Sequence, residues 1–274
     1  MRPYSIFTPP FDTTSGGIRV MYGLYGWLLA KGQIVHLNAQ YANPDFVAIY
    51  PEIQDGNPAG ANTVVRYILN KPGRIEAVWS DGTVKTGPTD FGENDKLYYF
   101  SRLFGEADED HYLFLPILNT HLFKDYGNKR TKTAYFVGKG MHYFKPEDIN
   151  KHPEDAILID RELADDQQKL ADILNECEWL YCYDPVTAMT ELARLCGCKV
   201  IYLPSIYSRE EFAKYEPGMK GLFFGSKNDP TKFDWSNKDA DIGGFNCGKF
   251  TQHYKDMVKT FESRLDQFIE DTQK

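Results

Sequence analysis

The feature that most constrains this chain is its repeated alternation of short apolar runs with stretches of helical periodicity, separated by turns rich in Gly, Pro or Thr. Residues 4–7 read as a strand and residues 8–17 as a loop. Residues 18–30 then place Ile18, Met21, Tyr22, Leu24, Tyr25, Leu28 and Leu29 near helical spacing before Lys31-Gly32 stops the helix. Residues 34–37 and 46–50 read as buried strands, and residues 61–69 as a helix ended by Lys71-Pro72-Gly73. A strand-helix-strand start predicts a parallel sheet, because parallel neighbours need a crossover connection.

The same alternation restarts in the second half. Between residues 73 and 110 the pattern is irregular, with short strands predicted over 75–79 and 97–100, followed by an apolar strand over 111–118. Residues 124–132 are polar and basic around Gly127-Asn128 and read as a linker. Strands are then predicted over 133–137, 156–159, 179–183 and 199–203, with helices over 166–175 and 186–195. Residues 250–269 form a long amphipathic helix whose stripe is Tyr254, Met257, Val258, Phe261, Leu265, Phe268 and Ile269. A chain of 274 residues can bury two modest cores. The expected organisation is α/β: two Rossmann-like domains, 1–130 and 131–248, and a helix over 249–274 returning to the N-terminal domain.

Charge and motifs remove several function classes. The net charge of -8, from 39 acidic and 31 basic residues, provides no basic footprint for a phosphate backbone, so no nucleic-acid partner is expected; a small phosphorylated ligand remains compatible with it. The dinucleotide fingerprint G-x-G-x-x-G is absent, which argues against an NAD enzyme. Five cysteines, mostly within apolar patterns, read as reduced buried thiols of a cytoplasmic protein. Cys196-Gly197-Cys198 has the wrong spacing for a zinc knuckle, and Asp108-Glu109-Asp110 and Asp239-Ala240-Asp241 read as solvated acidic runs, so no metal is expected. The N-terminus is broken by prolines rather than carrying a signal-peptide run, and no apolar stretch is long enough to span a membrane. Peripheral membrane contact through an amphipathic face stays open.

Candidate chemistry falls at the strand-to-loop junctions, where an open parallel sheet presents ligands to its carboxyl edge. Gly16 and Gly17 join the first strand to the first helix, where backbone amides can approach a ligand without an intervening Cβ. Tyr183-Asp184-Pro185 leads from a strand into a predicted helix with Asp184 as its cap. A diphosphate there would meet the amides of Val186, Thr187 and Ala188 and the Thr187 hydroxyl, with Glu191 one turn later for ribose hydroxyls. Gly138-Lys139-Gly140 holds a cation at the end of another strand, suited to a departing diphosphate. Glu52 and His121, at two further strand ends, could act on an acceptor hydroxyl.

Two segments resemble the glycosyltransferases of the GT-B architecture, and in particular the large group 1 family. Ser15-Gly16-Gly17-Ile18-Arg19-Val20 with Leu28-Leu29-Ala30-Lys31-Gly32 is similar to that family's first loop and helix. Glu191-Leu192-Ala193-Arg194-Leu195-Cys196-Gly197-Cys198-Lys199-Val200-Ile201 is similar to its donor-site helix, turn and strand. Where the family carries a second glutamate ahead of the one matched by Glu191, this chain has Tyr183 with Asp184 beside it. The resemblance implies an acceptor-side N-terminal domain and a donor-side C-terminal domain facing a cleft. It further implies metal-independent transfer of a sugar from a nucleotide-diphosphate donor to a hydroxyl of a glycan or glycolipid, with no cofactor. A non-hydrolysing nucleotide-sugar epimerase and a non-catalytic sugar-nucleotide-binding module are the alternatives.

Overall fold

In the computed structural model the described residues are 1–274 apart from 14, 74–76, 79–83, 86–89, 185, 204–206 and 225–244. β1 (Tyr4–Ile6) is buried along its whole length and pairs in parallel with both β2 (Val35–Leu37) and β3 (Val47–Pro51). The crossover from β1 to β2 is α1 (Gly16–Ala30), started by Ser15, whose hydroxyl accepts from the Ile18 amide at 3.4 Å. Its buried Val20, Met21, Leu24 and Leu28 recur at helical spacing and pack with Tyr4, Ile6, Val47 and Ile49 of the sheet. β4 (Thr63–Ile68) and β7 (Lys96–Tyr99) complete a five-stranded parallel sheet of order β2-β1-β3-β4-β7, while β5 (Ala77–Val78) and β6 (Val84–Lys85) form a separate antiparallel pair.

Two sequence expectations fail here for identifiable reasons. The segment expected as a helix over 61–69 is strand β4: its Val64, Val65, Tyr67 and Ile68 are β-branched or aromatic and buried in succession, as suits a strand covered on both faces. A buried run this short does not separate helix from strand by periodicity. The strand expected over 111–118 is instead a 3-10 turn at Glu109–His111 followed by a chain that makes a single parallel bridge, Tyr112 to Tyr99. Tyr112, Leu113, Phe114 and Leu115 are buried, so the apolar signal reported burial and not pairing. The strand expected over 75–79 lies largely outside the described residues, as does Asp239-Ala240-Asp241.

The second sheet contains β8 (Lys132–Phe136), β9 (Ile157–Leu158), β10 (Cys177–Cys182), β11 (Lys199–Tyr202) and β12 (Leu222–Phe224), all parallel, in the order β12-β11-β10-β8-β9. Short helices connect the strands: α2 (Arg161–Asp165), α3 (Gln167–Glu176), α4 (Met189–Leu195) and α5 (Arg209–Phe212). Three of them start on side-chain caps, Asp160, Asp166 and Ser208, the last within a reciprocal capping box with Glu211. α4 begins at Met189 rather than at residue 186, and its N-cap position is Ala188, which offers no side-chain oxygen; Asp184 does not cap it. The chain is therefore α/β with two five-stranded parallel sheets, the arrangement of two Rossmann-like domains.

Contacts divide the chain into residues 1–117 with 257–274, and residues 118–256. Within the second unit, residues 124–132 are tied down: the Asn175 side chain bonds the Tyr126 amide at 2.7 Å and the Lys124 carbonyl at 3.0 Å, and Arg130 donates to the Cys196 carbonyl at 2.6 Å. α6 (Cys247–Gln273) spans the division. Its early Tyr254 hydroxyl accepts from the Leu118 amide at 3.3 Å, while Phe261, Leu265 and Phe268 enter the first unit's core beside Leu24, Leu28 and Tyr4. Two ion pairs, Lys31 with Asp266 at 2.7 Å and Lys96 with Asp271 at 2.6 Å, flank that stripe. Among the described residues no helix is long and apolar enough to cross a membrane.

Candidate functional site

At the carboxyl edge of the first sheet, β3 ends on Pro51 and places Glu52 beside the end of β4. The Glu52 carboxylate accepts the Leu69 amide at 2.9 Å and also meets the amides of Glu52 and Asn70. The residue is only 4% exposed, and burial, outweighing those amides, pushes its carboxyl up from an ordinary 4.5 to about 7. α1 opens on the same edge. A Cβ added at Gly17 would meet Leu69 Cδ1 at 3.5 Å and one at Gly16 would meet nothing within 4 Å, so Leu69 links the glycine turn to the Glu52 anchor.

Sequence reasoning overlooked Arg66, which fixes the loop after Glu52. Fully buried in β4, it donates to Asp95 at 2.6 Å, to the Gln54 carbonyl at 2.7 Å and to the Gly56 carbonyl at 2.5 Å. Its guanidinium lies 5.1 Å from the ring centroids of Tyr50 and Phe91. The signal was a lone arginine inside an apolar strand, since a buried guanidinium must satisfy several donors in one plane.

In the second sheet, β8 and β10 end side by side and their loops close on Asp184. This buried carboxylate accepts the Lys139 amide at 2.9 Å through Oδ2 and the Val186 amide at 3.0 Å through Oδ1. Burial raises its pKa, and the Lys139 ammonium, 3.9 Å from Oδ1, offsets part of that rise. The ammonium also donates to the Val186 carbonyl at 2.9 Å, while the Lys139 side chain stays 53% exposed. Gly138 has φ +49°, and a Cβ there would collide with Asp184 Oδ2; one at Gly140 would lie 2.5 Å from the Tyr183 carbonyl. Both glycines let the lysine loop lie directly against Tyr183 and Asp184. Thr187 Oγ1 accepts the Met189 amide at 3.2 Å and so caps the start of α4 from one residue before Ala188. Pro185 lies outside the described residues.

Tyr183 is buried, its hydroxyl accepting the Lys151 amide at 2.8 Å and paired with His152 Nδ1 at 2.9 Å; burial pushes the phenol up to about 12. The His152 ring stacks on Tyr135 with centroids 3.6 Å apart, and its partial burial lowers its pKa. Glu191 is only 3% exposed and accepts the Tyr215 hydroxyl at 2.8 Å. One turn on, the buried Arg194 donates to the carbonyls of Thr190, Gly218 and Lys220 and lies 4.4 Å from the Phe250 ring centroid.

The structure thus gathers Gly16, Gly17 and Glu52 at one edge of the first sheet, and Gly138, Lys139, Tyr183, Asp184 and Val186 at one edge of the second. His121 is exposed in a turn of the second unit, where its amide bonds Asn119 Oδ1 at 3.0 Å. Of the acidic run over 108–110, Glu109 pairs with Arg102 at 2.6 Å and Arg264 at 2.9 Å, and among the described residues no cluster of His, Cys, Asp and Glu could hold a metal ion.

No family model matches the chain, and no curated protein matches it. Among solved structures the chain is similar to an α-glucosyltransferase in complex with UDP and a 13-mer DNA containing a central A:G mismatch. The likeness has 11% sequence identity and a TM-score of 0.40, over 96% of this chain and 91% of that one. The DNA held by that protein overturns the exclusion of nucleic acid that the net charge suggested. A formal charge of -8 is a sum over the whole surface, whereas a nucleic acid responds to the local field where it binds.

Proposed function

We propose that the chain is a glycosyltransferase that moves a sugar from a nucleoside-diphosphate donor to a hydroxyl. The observation that carries this reading is the Lys139 ammonium, half exposed where β8 and β10 end, within 2.9 Å of the Val186 carbonyl and 3.9 Å of Asp184. A cation anchored at the carboxyl edge of a parallel sheet suits a leaving diphosphate, whose negative charge grows as the glycosidic bond breaks. In this reading Lys139 takes the role a metal ion would otherwise fill. The Val186, Thr187 and Ala188 backbone lies along the diphosphate, Glu191 receives the ribose, and the glycine turn at Gly16-Gly17 belongs to the acceptor side.

Glu52 is the general base of this reading, because a carboxyl with a pKa of about 7 can take a proton from an attacking hydroxyl near neutral pH. His121 is the other acceptor-side candidate. The sequence resemblance to group 1 glycosyltransferases supports the same assignment, with a glycan or glycolipid as acceptor class. The proposal also places the protein in the cytoplasm. A non-catalytic module, for sugar-nucleotide binding or assembly, is the second reading: Glu191 is engaged by Tyr215 and Asp184 by the Lys139 and Val186 amides, so groups that the enzyme reading assigns to the donor already have partners within the chain.

The test is transfer from a panel of nucleotide sugars to glycan, glycolipid and duplex DNA acceptors, followed as nucleoside diphosphate released and product formed. Transfer lost in Lys139→Ala, with the fold retained, supports the enzyme reading. Nucleotide binding without turnover on any acceptor favours the module, and diphosphate release without an acceptor favours an epimerase.

A further inference from the structure

Resting on the assignment of Glu191 to the donor ribose, we propose that residues 212–220 form a strap that occupies the nucleoside position from within, so that donor binding requires the strap to let go of α4. Three observations build the strap. The Tyr215 hydroxyl donates to Glu191 Oε1 at 2.8 Å, the same kind of bond a ribose hydroxyl would make to that carboxylate. Arg194, one turn further along α4, holds the strap's Gly218 carbonyl at 2.7 Å and its Lys220 carbonyl at 3.3 Å. The side chains of α4 that would recognise a nucleoside are thus engaged by one neighbouring segment, and Glu191 keeps 3% of its surface.

The strap is also built to hold its shape. The Gly218 amide donates to the Tyr215 carbonyl at 2.9 Å with Gly218 at φ +69°, a left-handed turn that favours glycine, and Phe212 meets Tyr215 edge to face at 5.5 Å. At its middle, the Glu216 carbonyl bonds His253 of α6 at 2.9 Å. Tyr215 therefore reaches Glu191 from a pre-formed turn, and a ribose hydroxyl must displace a hydroxyl already in place. With Glu191 only 3% exposed and Tyr215 seated on it, a nucleoside reaches that carboxylate only when the strap moves away, so strap and nucleoside exclude each other there.

Two measurements with UDP test this. Titration calorimetry on Tyr215→Phe removes only the competing hydroxyl, so UDP is expected to bind about tenfold more tightly than to wild type, the ratio that follows when one hydrogen bond to a charged group no longer has to be broken. In the wild type, backbone amides of residues 215–222 are expected to exchange hydrogen faster when UDP is saturating, because the strap has been released. Unchanged or weaker UDP binding by Tyr215→Phe, or slower exchange in the strap with UDP bound, overturns the strap. Failure of the underlying donor assignment looks different: adding Glu191→Gln then leaves UDP affinity unchanged, both in the wild type and in Tyr215→Phe, and the strap falls with it.

Discussion

Glu52 is where stability and the proposed chemistry pull in opposite directions, and its titration measures both. Its carboxyl is raised from 4.5 to about 7 by burial in the folded first unit. Between those values the unfolded chain has released the proton while the folded chain retains it, so stability falls as pH rises through the window. The stabilisation is complete below pH 4.5, is lost on approach to pH 7, and amounts to about 3 kcal/mol. Glu52→Gln keeps an oxygen that can accept the Leu69 amide but never ionises. It should match the wild type near pH 4.5 and exceed it by roughly 2–3 kcal/mol at pH 8.5. Native-state hydrogen exchange of the β3 and β4 amides reads this free energy from the first unit alone, avoiding a two-unit unfolding transition that need not be two-state. If Glu52 is the base, the stabilised variant loses roughly 10²–10⁴-fold in kcat/KM, and the wild-type profile rises with an apparent pKa near 7. A stability difference between the two proteins that stays flat from pH 4.5 to 8.5 would refute the buried, shifted carboxyl and with it the base.

Other perturbations have clear expected outcomes. Arg66→Met leaves Asp95 and the carbonyls of Gln54 and Gly56 without their donor, and should cost about 3–5 kcal/mol by urea unfolding, with Arg66→Lys unable to restore all three bonds. Gly138→Ala forces a side chain into φ +49° and against Asp184, with an expected loss of roughly 1–3 kcal/mol in the second unit. Phe261→Ala, which empties a buried position on α6, should cost about 3–5 kcal/mol in the first unit, read by exchange of the β1 amides. Lys139→Ala should leave unfolding nearly unchanged because the side chain is half exposed, while lowering transfer by about 10²–10³-fold; activity that survives EDTA would confirm that this cation, and no metal, carries the charge.

The alternation of strands and helices was legible wherever the pattern was long or the turn chemistry strong. α1 has seven apolar positions near helical spacing and a glycine stop, and α6 keeps its stripe through Phe261, Leu265 and Phe268. β4 was not legible as a strand, because Val64, Val65, Tyr67 and Ile68 are buried consecutively and a short continuous run carries no period. The extended chain over 112–115 was misread for the converse reason: Leu113 and Leu115 enter the first core, so the segment looks like a strand by hydrophobicity while its only ladder contact among the described residues is one bridge. Sequence can report which side chains leave water more readily than which backbone partners they find.

The site shows the same boundary at finer scale. Glycines around Lys139 and an aspartate before a proline were legible as special positions, but not for what they approach. The open space that glycine makes at 138 and 140 is filled by Asp184 and the Tyr183 backbone, and of the amides expected to face a phosphate, those of Val186, Thr187 and Ala188, the first meets the Asp184 carboxylate instead, which also takes the Lys139 amide. A buried carboxylate on two amides resembles an anion in its socket, so a diphosphate approaching Lys139 must either share that cation with Asp184 or displace the carboxylate from it. Asp184→Asn separates these cases. The amide side chain keeps one acceptor oxygen, enough for one of the two backbone amides, and removes the negative charge 3.9 Å from the Lys139 ammonium, so unfolding is measured on the same variant. UDP affinity should rise by several-fold if the phosphates sit at Lys139, as a competing charge is lost. It should fall or stay level if the nucleotide binds elsewhere, and calorimetry of the single variant decides between them.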